Sequence, residues 1–370
     1  MVEISFLKKL KLPTFSFKFL SSKPTRIVGI DIGVASAKVV QLRYEHERAI
    51  LETYGELLSA GYLKNTDVAG GGGFLRYADV DIASLLKDII RESGVTAKDA
   101  VFSVPAVSSF ITTISFPRVT EKEINSAMPY EARKYVPIPV SEVVLDWDIL
   151  EPNEERNAIE VLLVAVPRDV VEKYKRVAGI AGINPRALEV ETFSMVRSLL
   201  GQDPTPIALI NLGHQSTTLA IIDRGRVRVS HNIIRGSQEL TKALERGMAI
   251  SLERAESAKR EIGISEKLEE REITSLIMPP LDSLFSEIER LMALYNRRAP
   301  RKIQRVNLTG GGSNLKGIVD YLSTKFGLEV TKGNPFARVV TPAFMQPILR
   351  EIGPSFSVAV GLALHDITSK

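Results

Sequence analysis

A chain of 370 residues exceeds the roughly 250–300 at which one hydrophobic core stops growing, so it divides into at least two domains. With 44% hydrophobic and 25% charged residues, no cysteine and no run approaching the about 18 apolar residues of a membrane helix, it is neither disordered nor collagenous and has no disulfides, thiolate metal sites or thiol nucleophiles. The net charge of +4 sits in residues 1–26, where Lys8, Lys9, Lys11, Lys18, Lys23 and Arg26 face only Glu3; the rest sums to −1, so the body offers no phosphate-backbone footprint and no nucleic-acid partner is expected.

Residues 1–24 form a basic, aromatic arm, with Phe6, Leu7, Leu10 and Leu12 among the lysines and Phe15, Phe17 and Phe19 at period two. Lysines interrupt any apolar core of a secretory signal. The arm reads as an anchor on an anionic membrane surface, as a partner-docking segment, or as an added strand. RIVGIDIG (26–33) predicts a buried strand that returns through a glycine turn into VASAKVVQLRYE, a hairpin. AILETYGELLSAGYL adds an apolar segment, and AGGGGF a loop without the Lys-Ser/Thr of a P-loop. Residues 80–93 have helical spacing, and DAVFSVP is a strand ending at Pro105.

From Ala106 the texture changes. SSFITTISFP predicts a strand, followed by a helix with Thr120 as N-cap and Glu123 three residues on. VVLDWDIL and AIEVLLVAVP are two more strands, and RDVVEKYKRVAGIAG is an amphipathic helix stopped by Gly182. An α+β subdomain over about 106–185 therefore interrupts a first domain of 25–105 that resumes at about 186–204. PRALEVETFSMVRSLLG runs from strand into helix, and PIALINLGHQSTTLAIIDRGRVRVSHNIIRG predicts a three-strand meander turning at Asp223-Arg224-Gly225. SQELTKALERGMAISLERAESAKREIG is a charged helical stretch, and a longer helix is expected from about Pro280 to Arg298. RVNL, a Gly-rich turn, a helix from Leu315 and a closing helix at SFSVAVGLALHDI complete a second domain of 205–240 and 300–370, with 241–299 as its helical subdomain.

The most informative feature is a repeat at an offset of 180: IDIGVASAKVV (30–40) and INLGHQSTTLA (210–220) match at Ile30/Ile210, Gly33/Gly213 and Ser36/Ser216. Two copies of one hairpin imply two related domains facing each other. A glycine in such a turn lets backbone N–H groups converge on phosphate oxygens, and a carboxylate at the strand end, Asp31, can hold a hydrated Mg²⁺ beside them. Ser36 can donate to such a phosphate and Lys38 can supply positive charge. Thr309-Gly310-Gly311-Gly312-Ser313, between strand and helix, allows close approach by a flat ring or a phosphate. His46, His214, His231 and His365 are scattered without metal-ligand spacing, and His214 falls in the second turn.

The order of hairpin, connecting helix, second hairpin, glycine loop and closing helix resembles the superfamily of actin, the heat-shock chaperone ATPases and the sugar kinases. The fold so implied is α/β: an actin-like ATPase fold of two duplicated ribonuclease-H-like domains. The inserted subdomain resembles that of FtsA. More closely, VTEKEINSAMPYEARKYVPIPVSEVVLDWDIL, LEVETFSMVRSLL, SEIERLMALYNRR and NLTGGGSNLKGIVDYL resemble segments of the PilM family of type IV pilus assembly, over about residues 25–365.

The resemblance implies ATP and Mg²⁺ as ligands. Asp31, Gly33, Ser36 and Lys38 match the first phosphate turn, with Mg²⁺ held by Asp31 through water, and Gly213, Ser216 and Thr217 the second. Glu256 and Lys259 in AESAKREIG would reach the ribose and base, or else form an i, i+3 surface contact. Gly310, Gly311, Gly312 and Asn314 would line the adenosine. Asn211 stands where these ATPases usually carry an acid, so nucleotide binding is expected with at most weak ATPase activity. No catalytic residue is assigned; Glu191, at the entry to the connecting helix, is the nearest to a general base.

The family further implies a cytoplasmic platform at the inner face of the cytoplasmic membrane that takes the N-terminal peptide of a PilN-like inner-membrane protein between the first domain and the insertion. Self-association stays open. The alternatives are an FtsA-like filament protein of cell division and a sugar-kinase-like phosphotransferase. The neutral Asn211 weighs against the kinase. The stop at HDITSK, without a linker and amphipathic helix, weighs against FtsA.

Overall fold

The computed structural model describes residues 16–18, 25–46, 48–63, 76–117, 119–153 and 158–366. The AGGGGF loop and most of the arm lie outside them, and with the arm the membrane-anchor reading. The first sheet gathers β1 (Ser16–Lys18), β2 (Arg26–Ile32), β3 (Ser36–Glu45) and β4 (Arg48–Leu58), then β5 (Asp99–Val104) after helix α1 (Asp79–Glu92). The insertion holds β6 (Phe110–Pro117), α2 (Glu121–Glu131), β7 (Val143–Asn153) and β8 (Ala158–Pro167). Helix α3 (Arg168–Ala181) and strand β9 (Asn184–Val190) return to the first sheet, and α4 (Glu191–Leu199) crosses to the second half. There follow β10 (Ile207–Leu212), β11 (Thr217–Asp223), β12 (Arg226–Ile233), α5 (Gln238–Met248), α6 (Leu252–Glu261) and α7 (Arg271–Arg298). The chain closes with β13 (Arg305–Thr309), α8 (Ile318–Phe326), β14 (Glu329–Lys332) and α9 (Gln346–Ala363).

The duplication shows in topology. The first sheet runs β1-β9-β5-β2-β3-β4 and the second β12-β11-β10-β13-β14. Each places an antiparallel three-strand meander beside two strands parallel to its first member. Residues 16–18 of the arm add an antiparallel edge strand against β9. The third sheet is β6-β8-β7.

Strand β8 explains how the insertion attaches. Its run is apolar on both faces: Val161, Leu163 and Ala165 pack with Ile124 and Met128 of α2, whereas Leu162, Val164 and Val166 join the core of the first sheet. The Thr120 and Glu123 capping box that starts α2 forms as the sequence predicts. Helix α3, expected inside the insertion, instead buries Val170, Tyr174, Val177 and Ala178 in the core of the first sheet, with the Tyr174 ring centroid 5.9 Å from that of Phe102.

Four helical segments differ from expectation, each for a local reason. The charged stretch after Gly236 breaks into α5 and α6 because Ala249 takes a left-handed conformation, φ 52°. Helix α7 begins at Arg271 and runs through Pro279 and Pro280. The prolines remove two N–H donors, but Ile273, Ile277, Leu281, Leu284 and Ile288 form an unbroken buried stripe across them. Helix α9 likewise starts at Gln346 and contains Pro354. The glycine turn passes through a short 3-10 turn, Gly311–Asn314, so α8 begins at Ile318 rather than Leu315. Among the described residues no helix is long and apolar enough to cross a membrane.

Candidate functional site

The two hairpin turns line one cleft of about 1150 Å³, with the glycine turn and α6 on its walls. The turns are built alike: the Gly33 N–H donates to the Ser36 carbonyl and the Gly213 N–H to the Ser216 carbonyl, both at 3.0 Å. A Cβ at Gly33 would lie 2.9 Å from the Ser36 oxygen, and at Gly213 2.7 Å from the Ser216 oxygen. Only glycine fits the inside of either turn, which is why the repeat keeps it.

Asp31 and Lys38 face each other across the first hairpin. The Ser103 hydroxyl donates to Asp31 at 2.7 Å. Burial raises the Asp31 carboxyl, against the Lys38 charge and that hydrogen bond. Lys38 donates to the Ser36 hydroxyl at 2.6 Å, which in turn donates to Glu56 at 2.6 Å; Lys38 also lies 3.1 Å from Glu56. Against burial, the Lys38 charge and the Ser36 donor hold Glu56 below the usual carboxylate range. Sequence reasoning missed Glu56, because it lies on β4, 20 residues from Ser36, and reaches the turn only through the register that pairs it with Lys38.

Glu191, the first residue of α4, accepts from the Ala106 N–H at 3.2 Å and the Thr218 hydroxyl at 3.4 Å. Burial, and next the Asp31 charge, push its carboxyl up to about 7. The Asp31 charge disfavours the ionised form of Glu191, a penalty that a divalent cation relieves, so Asp31 and Glu191 fit Mg²⁺. No group of three or more His, Asp or Glu among the described residues makes a closed protein cage. Such a pair suits an ion that keeps most of its water. Asn211 also lines the cleft, neutral as the sequence has it.

On the opposite wall, Lys259 is 6% exposed and donates to Glu256 at 2.6 Å, to the Thr241 hydroxyl at 2.8 Å and to the Ser237 carbonyl at 3.3 Å. Glu256 falls to about 2: burial pushes it up, but donors from Lys259, Thr241 and Arg260 outweigh that. Burial lowers Lys259 against the pull of Glu256. The pair is thus an i, i+3 contact that also faces the cleft.

Gly310 has φ 85°, and a Cβ there would lie 2.4 Å from the Asn211 oxygen; Gly311 has open space above it. Gly312 and Asn314 line the same wall. Thr217 does not: it is buried, and its hydroxyl donates to the Arg235 carbonyl at 2.8 Å, which leaves Ser216 as the hydroxyl of the second turn. His214 lines the cleft, and burial and then the Lys259 charge lower it.

Beyond the turns the same cavity continues between the first sheet and the insertion, where Val107, Phe110, Val136, Ile138, Val143 and Val170 give it an apolar lining. Val107 and Ile138 are exposed, and Ile234 projects from the second half at the rim, 84% exposed.

Duplicated sheets with paired glycine hairpins around one cleft, and an α+β insertion on the first, define an actin-like ATPase fold of the FtsA type. The family model described as type IV pilus assembly protein PilM matches residues 29–367, so the chain belongs to that family. It is similar to the structure of a PilM-PilN type IV pilus biogenesis complex, with 24% identity and a TM-score of 0.78 over 93% of this chain and 98% of that one. It is also similar to MreB 5 of Spiroplasma citri bound to AMPPNP, with 13% identity and a TM-score of 0.52 over 92% and 95% of the two chains. FtsA of Bacillus subtilis is 21% identical over 255 residues, 64% of this chain; the match spans 58% of that relative's length.

Proposed function

We propose that this chain is an ATP-binding platform of type IV pilus assembly, working at the cytoplasmic face of the inner membrane, and that its apolar groove takes the cytoplasmic N-terminal peptide of a PilN-like inner-membrane protein. The observation that carries this reading is the continuity of the cavity, which leads from two phosphate-type turns into an apolar groove walled by the insertion. A peptide there would place alternate apolar side chains against Val107, Phe110 and Ile138. The resemblance to a PilM-PilN complex and to an AMPPNP-bound MreB supports the same two ligands.

In this reading Gly33, Ser36, Lys38, Gly213 and Ser216 hold the phosphates, and Asp31 and Glu191 hold Mg²⁺ through water. Glu256, Lys259, Gly310, Gly311, Gly312 and Asn314 surround the nucleoside. With Asn211 neutral, turnover is slow.

Calorimetric titration of the full chain with Mg-ATP, and with a synthetic peptide of the first dozen or so residues of a PilN partner, tests both ligands. Absence of peptide binding with and without Mg-ATP overturns the platform reading. In the Asp31→Ala variant, ATP affinity should lose most of its dependence on Mg²⁺, on the order of tenfold. An unchanged Mg²⁺ dependence removes Asp31 from the metal site.

A further inference from the structure

The insertion is fastened to both halves of the molecule. One face of β8 belongs to the core of the first sheet, while β6 and β7 reach across to β12 of the second. The Arg226 guanidinium donates to the Asp148 carboxylate on β7, and to the Ile149 carbonyl at 3.2 Å. The Thr113 hydroxyl on β6 donates to the Arg228 carbonyl at 3.1 Å. The Arg226 and Asp148 side chains are 18% and 25% exposed, so their attraction is less screened than that of a surface pair.

The other end of β12 runs into the nucleotide end of the cleft. The Arg235 carbonyl accepts from Thr217 at 2.8 Å, and the N–H groups of Ser237 and Gln238 donate to the Gly213 and His214 carbonyls, both at 2.9 Å. A Cβ at Gly236 would lie 2.6 Å from the His214 carbonyl oxygen, so this junction is tight. Strand β12 is paired with β11 along its length. At about 3.3 Å per residue, its eight residues form a stiff strut of about 25 Å between the second phosphate turn and the insertion, whose β6 and β7 supply Phe110 and Val143 to the groove. On the first-domain side the linkage is shorter still. Ser103 donates to Asp31, and the Ala106 N–H to Glu191, just before Val107 and Phe110 of the groove.

We propose that β12 is a lever, latched to the insertion by Arg226 and Asp148, through which closure of the second phosphate turn on a nucleotide resets the width of the peptide groove. The proposal rests on the functional reading above and adds its regulation. Each ligand then alters the affinity of the other by the same factor.

The test uses the full chain, the synthetic PilN N-terminal peptide and Mg-AMPPNP. In the wild type the peptide affinity differs by about fivefold or more with and without the nucleotide analogue. In Arg226→Ala both ligands still bind, and the ratio collapses to within about twofold. Exchanging the charges, Arg226→Asp with Asp148→Arg, restores it; Asp148→Asn, which keeps the side chain's shape, repeats the loss. Trp147, the single tryptophan, lies beside the latch residue and gives a readout that needs no peptide: Mg-AMPPNP shifts its emission in the wild type and not in Arg226→Ala.

Latch variants that keep the wild-type ratio overturn the lever, as does a wild type that binds both ligands independently. A wild type that binds neither ligand overturns the functional reading instead.

Discussion

Gly361→Ala should lower the thermal midpoint by about 6–12 °C, roughly 3 kcal/mol at about 2–4 °C per kcal/mol for a chain of this order of size. Helix α9 lies against α4 and β2 with almost no space between backbones. A Cβ at Gly361 would lie 1.9 Å from the Ser194 carbonyl oxygen and 2.4 Å from its carbon, atoms of a neighbouring helix that no rotamer change moves. A Cβ at Gly29 on β2 would lie 2.1 Å from the Ala359 carbonyl oxygen, so α9 has no slack on that side either.

Moving α9 away disturbs more than packing. Arg197 donates to the Gly361 carbonyl at 2.8 Å while paired with Glu189, with side chains 3% and 0% exposed, and Ser198 donates to the Ser357 carbonyl at 2.7 Å. Weakening contacts to a buried ion pair is costly because the charges have no water to turn to. The control is Gly179→Ala in the last turn of α3, where a Cβ meets nothing within 4 Å. Alanine there should be neutral or stabilise by up to about 1 kcal/mol. Differential scanning calorimetry of both variants decides the matter, and a midpoint for Gly361→Ala within 2 °C of wild type, on the order of 1 kcal/mol or less, defeats the argument.

Much of this architecture is legible from residues alone, because glycine turns and strand alternation act locally. Gly33 and Gly213 close their turns with the same hydrogen bond to a serine carbonyl, and the repeat at an offset of 180 is that geometry written in sequence. What stays hidden depends on tertiary contacts. Pro279, Pro280 and Pro354 look like helix boundaries, and only the buried stripes of α7 and α9 show that packing carries the helices through them. The family resemblance offers Thr217 as a phosphate ligand, yet strand alternation turns it inward to the Arg235 carbonyl. The RGS that follows β12 carries its own signal in Gly236, whose role emerges only where it meets the second turn.

Replacing Glu191 by glutamine should stabilise the protein at pH 8 and leave it nearly unchanged at pH 5. The carboxyl moves from an ordinary 4.5 to about 7 on folding, through burial and the neighbouring Asp31. The folded state therefore holds this proton more tightly than the unfolded chain does. The associated stability is fully present below about 4.5, and is lost as pH rises through about 7. The loss is at most about 3–4 kcal/mol, at about 1.4 kcal/mol per unit. Asp31 and Asp146, raised by burial, tilt the wild-type curve the same way, and Glu256, held at about 2, tilts it the opposite way at lower pH. The difference between wild type and Glu191→Gln isolates the Glu191 part.

The same charge connects stability to the ligand. A hydrated Mg²⁺ beside Asp31 and Glu191 favours both carboxylates ionised, so Mg-AMPPNP should raise the wild-type midpoint at pH 8 more than that of Glu191→Gln. Thermal scans at pH 5 and pH 8, with and without Mg-AMPPNP, give all four numbers. A variant no more stable than wild type at pH 8 would show that Glu191 is already ionised without cost. An equal response of both proteins to Mg-AMPPNP would place the metal away from this carboxylate.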